Sequence, residues 1–284
     1  MAPQIKFSSP AKRKKRIAFI KKASVFFVLM LAAAGGSLFL FRNEKLLVGA
    51  IEISGNSSIG DEEIRTLVED NLLGNYFRIL PKNSIFFYPR RGIEQSIREK
   101  FPRISQAASA WKSFNSPRTI TVSVSERSPS YVWCGDSLPV EGDENPECYF
   151  ADSTGVVYDP VPKDEEGKFI SLYGSLSGNA ARGSFLGERG FSQLSDFIIA
   201  VSENGLLPVS LVKKVDGDAE IMLALGGKII FSASEVYQNS GTAISNIESA
   251  LEAESLKSAL KKNPEKLLYI DLRFGNKVFF KFKQ

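Results

Sequence analysis

The sequence predicts an α+β protein in three parts: a single N-terminal transmembrane helix, a small strand–helix–helix–strand–strand unit, and a mainly antiparallel β domain with flanking helices. Three observations predict it. Ala23–Phe41 carries no charge, and a helix of that length just spans a bilayer's hydrocarbon core. Between 46 and 127 the apolar spacing runs from the period of a strand to that of a helix and back. Beyond 128, short apolar runs alternate with Gly, Asn and Asp turns.

The first part is read from its flanks. Residues 1–22 hold Pro3, Ser8, Ser9 and Pro10, then a basic cluster from Lys12 to Arg16, and no apolar period; they are expected to be a disordered tail. Lys21 and Lys22 close the uncharged stretch on one side and Arg42 on the other. The excess of Lys and Arg upstream keeps that side cytoplasmic and sends residues 42–284 outside. Ala32-Ala33-Ala34 also has the small residues of a signal-peptide cleavage site, although apolar sequence resumes at Leu38.

In the second part, alternation over Leu46–Ser54 predicts a strand, turned at Gly55-Asn56. Ile64, Leu67, Val68 and Leu72 lie on one helix face after an acidic first turn, Asp61-Glu62-Glu63, which suits the helix dipole. A second helix begins near Pro89, with Ile93 and Ile97 on one face, and stops at Phe101-Pro102. Ile104–Phe114 and Thr119–Glu126 then read as an antiparallel pair, with Ile120, Val122 and Val124 facing one way.

In the third part, Tyr131–Cys134, Cys148–Ala151, Val156–Tyr158 and Phe169–Tyr173 read as short strands. Phe185–Asn204 contains a helix with Phe191, Leu194, Phe197, Ile198 and Val201 inward. Val209–Lys214, Glu220–Leu225 and Lys228–Ser232 form a meander, and a helix carrying Ile244, Ile247 and Leu251 stops before Pro264. Leu267–Phe274 and Lys277–Phe282 close the chain as a hairpin about Gly275-Asn276. The pattern leaves 174–187 unplaced.

Composition excludes much chemistry. Of 284 residues none is histidine, which removes the commonest general base and zinc ligand. There is no Gly-x-Ser-x-Gly elbow, and Gly226-Gly227-Lys228 lacks the spacing of a phosphate loop. Asp61, Glu62 and Glu63 sit at a helix start, and Asp143, Glu144 and Glu147 lie in a polar loop. No enzyme, cofactor, metal, nucleic acid or small-molecule substrate is expected. Cys134 and Cys148 are too few for a structural zinc site; a setting outside the membrane favours a disulfide between them over two packed thiols.

Four pieces carry a family resemblance: Ile51-Glu-Ile-Ser-Gly-Asn56, Asp61-Glu-Glu-Ile64, Phe101-Pro-Arg-Ile104 and Val122-Ser-Val-Ser-Glu-Arg-Ser-Pro-Ser-Tyr-Val-Trp133. Together they resemble a POTRA domain (46–127) in the form found in the FtsQ/DivIB cell-division proteins. Phe150–Tyr158 and Tyr269–Phe280 are similar to the strand–Asp–Gly turn and final hairpin of that family's β domain (128–284). The resemblance implies a noncatalytic bitopic scaffold of the bacterial divisome, in the cell membrane at the septum. Its FtsB/DivIC- and FtsL-like partners would be held by the last strand region, and the bilayer would be met through 23–41. The partner-binding candidates are Tyr269, Asp271, Arg273, Lys277, Phe279 and Lys281. Alternation leaves Phe279 exposed between two lysines, a pattern that suits docking and equally the blocking of unwanted pairing. The alternative is a POTRA-bearing protein of export or envelope assembly, but no run of barrel strands follows.

Overall fold

The computed structural model describes residues 10–41, 43–139, 147–165, 167–179 and 182–284. The chain divides into two compact units, 1–126 and 127–284.

The first unit opens with helix α1 (Pro10–Phe41), which overturns two expectations. It takes in the residues from Pro10 to Lys22 that composition assigned to a disordered tail; residues 1–9 of that tail lie outside the described residues. Moreover, among the described residues no helix is long and apolar enough to cross a membrane. The transmembrane helix, the orientation read from its flanks and the cell-membrane location are therefore corrected.

After α1 come β1 (Ala50–Ser54), α2 (Asp61–Leu72), a two-residue ladder of β2 (Asn75–Tyr76) and β3 (Leu80–Pro81), α3 (Arg90–Lys100), β4 (Ile104–Ser113) and β5 (Ser116–Glu126). The expected strand over 46–54 is shorter because Glu44–Leu46 winds into a 3-10 turn. β5 is central, antiparallel to β4 and parallel to β1. The apolar stripes meet as the periods require: Ile64, Val68 and Leu72 of α2 and Ile93 and Ile97 of α3 cover Ile120, Val122 and Val124 of β5. Each such aliphatic side chain contributes about 1.5–3 kcal/mol by leaving water. Gly55 lies at φ +86°, and a Cβ there would stand 2.1 Å from the Val124 carbonyl oxygen; the turn needs glycine for both reasons.

Glu126 ties this unit together. Its carboxylate accepts from the backbone N–H groups of Ser57, Ser58 and Ile59 at 2.7–3.2 Å and from the Ser57 hydroxyl. Burial would raise its pKa, but these donors outweigh that and hold it at about 2.

The second unit contains β6 (Tyr131–Trp133), β7 (Tyr149–Ala151), β8 (Val157–Pro160), β9 (Ile170–Tyr173), α4 (Glu188–Glu203), β10 (Pro208–Lys213), β11 (Asp218–Leu223), β12 (Lys228–Ser232), α5 (Ala233–Gln238), α6 (Gly241–Glu252), α7 (Glu254–Lys262), β13 (Leu267–Phe274) and β14 (Lys277–Phe282). Among the described residues nine strands form one sheet in the order β14-β13-β12-β11-β10-β9-β6-β7-β8. It is a mixed sheet: beside its antiparallel pairings, β9 is parallel to both β6 and β10, and β12 is parallel to β13. The cause is connection length. α4 lies between β9 and β10, and α5 to α7 between β12 and β13; helical crossovers of this kind return the chain in the same direction. The anticipated helix after β12 is three helices, α6 and α7 being separated by the extended residue Ala253.

Cross-strand register sets two faces. Ile270, Ile229, Ile221, Leu211 and Leu172 stand side by side and are buried with Phe197, Ile247 and Leu256 from the helices. On the other face a smaller cluster of Val132, Phe150, Tyr158, Tyr173 and Val212 reaches only as far as β10. Cys134 and Cys148 form a disulfide, closing the loop of which 140–146 lies outside the described residues. In the stretch the sequence left unplaced, Ser184 bridges Val156 and Ser177, and Phe185 is buried.

Candidate protein-docking edge

Among the described residues β14 has a neighbouring strand on one side only. The hairpin that sets it there turns at Gly275, whose φ is +62°; a two-residue loop with glycine at its first position suits the twist of the flanking strands. The register pairs Asp271 with Phe279, Tyr269 with Lys281 and Phe274 with Lys277. Val278 and Phe282 pack against the main core. Phe280, which alternation sets on the same face as Val278 and Phe282, remains 37% exposed.

The six candidate residues separate into two kinds. Lys277, Phe279 and Lys281 are exposed and Tyr269 is half-buried, on the face where neighbouring strands present Lys228, Ile230, Glu220 and Met222. Phe279 is 50% exposed and meets the edge of the Phe274 ring at 5.1 Å, itself 53% exposed. Asp271 is different: only 5% exposed, its carboxylate accepts from Arg273 Nε at 2.9 Å and Nη2 at 2.7 Å. Arg273 Nη1 donates to Asp218 of β11 at 2.6 Å. These hydrogen bonds, outweighing burial, hold the Asp271 carboxyl below the usual range, while the two carboxylates raise Arg273. Asp271 and Arg273 therefore clamp the sheet, and Asp271 offers a partner nothing.

Sequence reasoning missed Phe274 and Phe280. The signal for Phe274 was present, since a two-residue turn sets it across from Lys277, on the face that Lys277 shares with Phe279. The outcome is an edge with three exposed aromatic rings and Lys277, Lys281 and Lys283 along it. Unpaired strand backbone, flat apolar rings and positive charge together can hold an extended segment bearing acidic residues. The sequence matches no family model and no curated protein.

Proposed function

We propose that this chain is a noncatalytic protein-docking scaffold whose strand β14 takes up a strand of a partner protein. In line with its resemblance to FtsQ/DivIB, it serves bacterial septum formation by linking division proteins of the FtsB/DivIC and FtsL kinds. The observation that carries this reading is the edge position of β14 in the nine-stranded sheet, with Phe279 exposed between Lys277 and Lys281. Added main-chain hydrogen bonds would supply affinity and the aromatic and basic side chains would select the partner.

The test is co-purification of the full chain with the FtsB/DivIC-like protein of the same cell. Phe279→Glu is expected to lower recovery at least tenfold, because it places a carboxylate where an acidic partner lies. Phe279 is half exposed, so amide protection across β10–β13 is expected to stay unchanged. Undiminished recovery with the variant would refute the docking role of β14.

A further inference from the structure

A cleft of about 370 Å³ lies between α5, α6 and the ends of β12 and β13, beside the turn at Gly275. Phe231, Val236 and Leu272 line it from the main core and are 1%, 2% and 5% exposed, so its floor is apolar. Its walls are polar, with Glu235, Thr242 and Asn246 among the lining residues. Asn246 Nδ2 donates to the Gly275 carbonyl, which fixes the amide and leaves its Oδ1 to accept.

Charge decides what such a cleft can take. Among the described residues no Lys or Arg lines it, and Glu235 makes no ion pair. The end of α5 and the start of α6 both border it, so the partial charges of the two helix ends oppose one another. Ala233 N–H donates to the Gly217 carbonyl at 3.1 Å, which brings the turn Asp216–Asp218 to the same end of the sheet. The bases nearby are engaged: Arg273 donates to Asp218 and Asp271, and Lys214 stands 3.4 Å from Glu220. Glu235 and Asp216 are left to make the potential here negative.

An apolar floor beneath an acidic, acceptor-bearing wall matches an arginine side chain. Its alkyl stem buries on apolar surface while its charged head stays at the polar rim, and that head carries five donors in a planar fork. We propose that this cleft binds an arginine side chain of a partner protein, the guanidinium pairing with Glu235 and donating to Asn246 Oδ1, the stem lying over Val236 and Leu272. The volume is at the low end of the roughly 300–1,000 Å³ of ligand pockets and suits one long side chain. Free arginine is the poorer occupant, because its own carboxylate would enter the same negative potential with no cation to hold it. The basic edge at β14 calls for acidic residues, so this site is distinct from it and does not rest on that reading.

The test is a titration of the full chain with acetyl-Gly-Arg-Gly-amide, read by saturation-transfer NMR. The controls are the same peptide with citrulline, an uncharged analogue of like shape, in place of arginine, and free L-arginine. The arginine peptide is expected to bind at least fivefold more tightly than either control. Glu235→Gln is expected to abolish the preference over citrulline with the melting temperature unchanged, since Glu235 is exposed. Thr242→Trp, which fills the cleft from an exposed position, is expected to weaken the arginine peptide at least fivefold, and Phe279→Glu to leave its binding as it is. Equal binding of the arginine and citrulline peptides, a preference that survives Glu235→Gln, free L-arginine binding as tightly as the peptide, or loss of binding in Phe279→Glu would overturn the proposal.

Discussion

Single carboxylates do structural work in each unit. Glu126 gathers three backbone N–H groups from the turn before α2. Its folded pKa lies below the unfolded value, so its contribution is present above about pH 4.5 and is lost as pH falls towards about 2. Glu126→Gln is expected to lower the stability of the first unit by about 1–2 kcal/mol at pH 7, the scale of hydrogen bonds to a charged group after allowance for exposure. The loss should shrink in acid, as acid–urea melts followed at Trp111 would show. Asp152 has the same role in the second unit, accepting from Arg127 and from Thr154 and Val156 N–H groups; both partners are largely buried. Removing one member of such a pair costs about 3 kcal/mol, so Asp152→Ala is expected to lower the urea midpoint of this unit markedly. These adjoining acid and base residues, Glu126 and Arg127, were visible in the sequence as part of a motif, but their duties were not. Their acceptors and donors lie 25 to 69 positions away, and spacing along the chain does not encode such distances.

At the scale of elements, strong periodicity made α2, α3, α4, β5 and the β13–β14 hairpin legible before any coordinates. Ile93 and Ile97, and Phe191, Leu194 and Phe197, are fully buried where their spacing put them. The parallel pairings were not legible, because β9 reads as a lone apolar run whose neighbours are fixed by distant strands. The uncharged run within α1 was read as a span from its lack of charge, whereas among the described residues no helix is long and apolar enough to cross a membrane. Deleting Pro264–Gln284 would remove Leu267, Ile270 and Leu272 from the core, so that truncation is expected to unfold the second unit and cannot report on docking. Gly55→Ala tests the tight turn after β1. With φ positive and the Val124 carbonyl in the way, it is expected to cost about 2–4 kcal/mol, measured as a fall in the urea midpoint of the first unit.

For the molecule as a whole, the proposed function rests on what its sheets leave uncovered. The helices of the second unit protect one face, and the smaller cluster protects part of the other. What remains near β14 is the surface on which the proposed docking role rests. The disulfide between Cys134 and Cys148 closes a loop with a sequence separation of 14; a loop of this size contributes about 3 kcal/mol in the chain-entropy model. Cys134→Ser with Cys148→Ser is therefore expected to lower unfolding free energy of the second unit by that order and leave the urea midpoint of the first unchanged.

The four residues of β9, inserted between β6 and β10, have a consequence for biosynthesis. A nascent chain emerging N-terminus first presents β6 with a bare flank until residue 173 leaves the ribosome, and β9 then waits for β10 behind a whole helix. Assembly of this sheet thus hinges on a short strand that must join two neighbours, and pairing with the corresponding strand of a second molecule would yield an exchanged dimer.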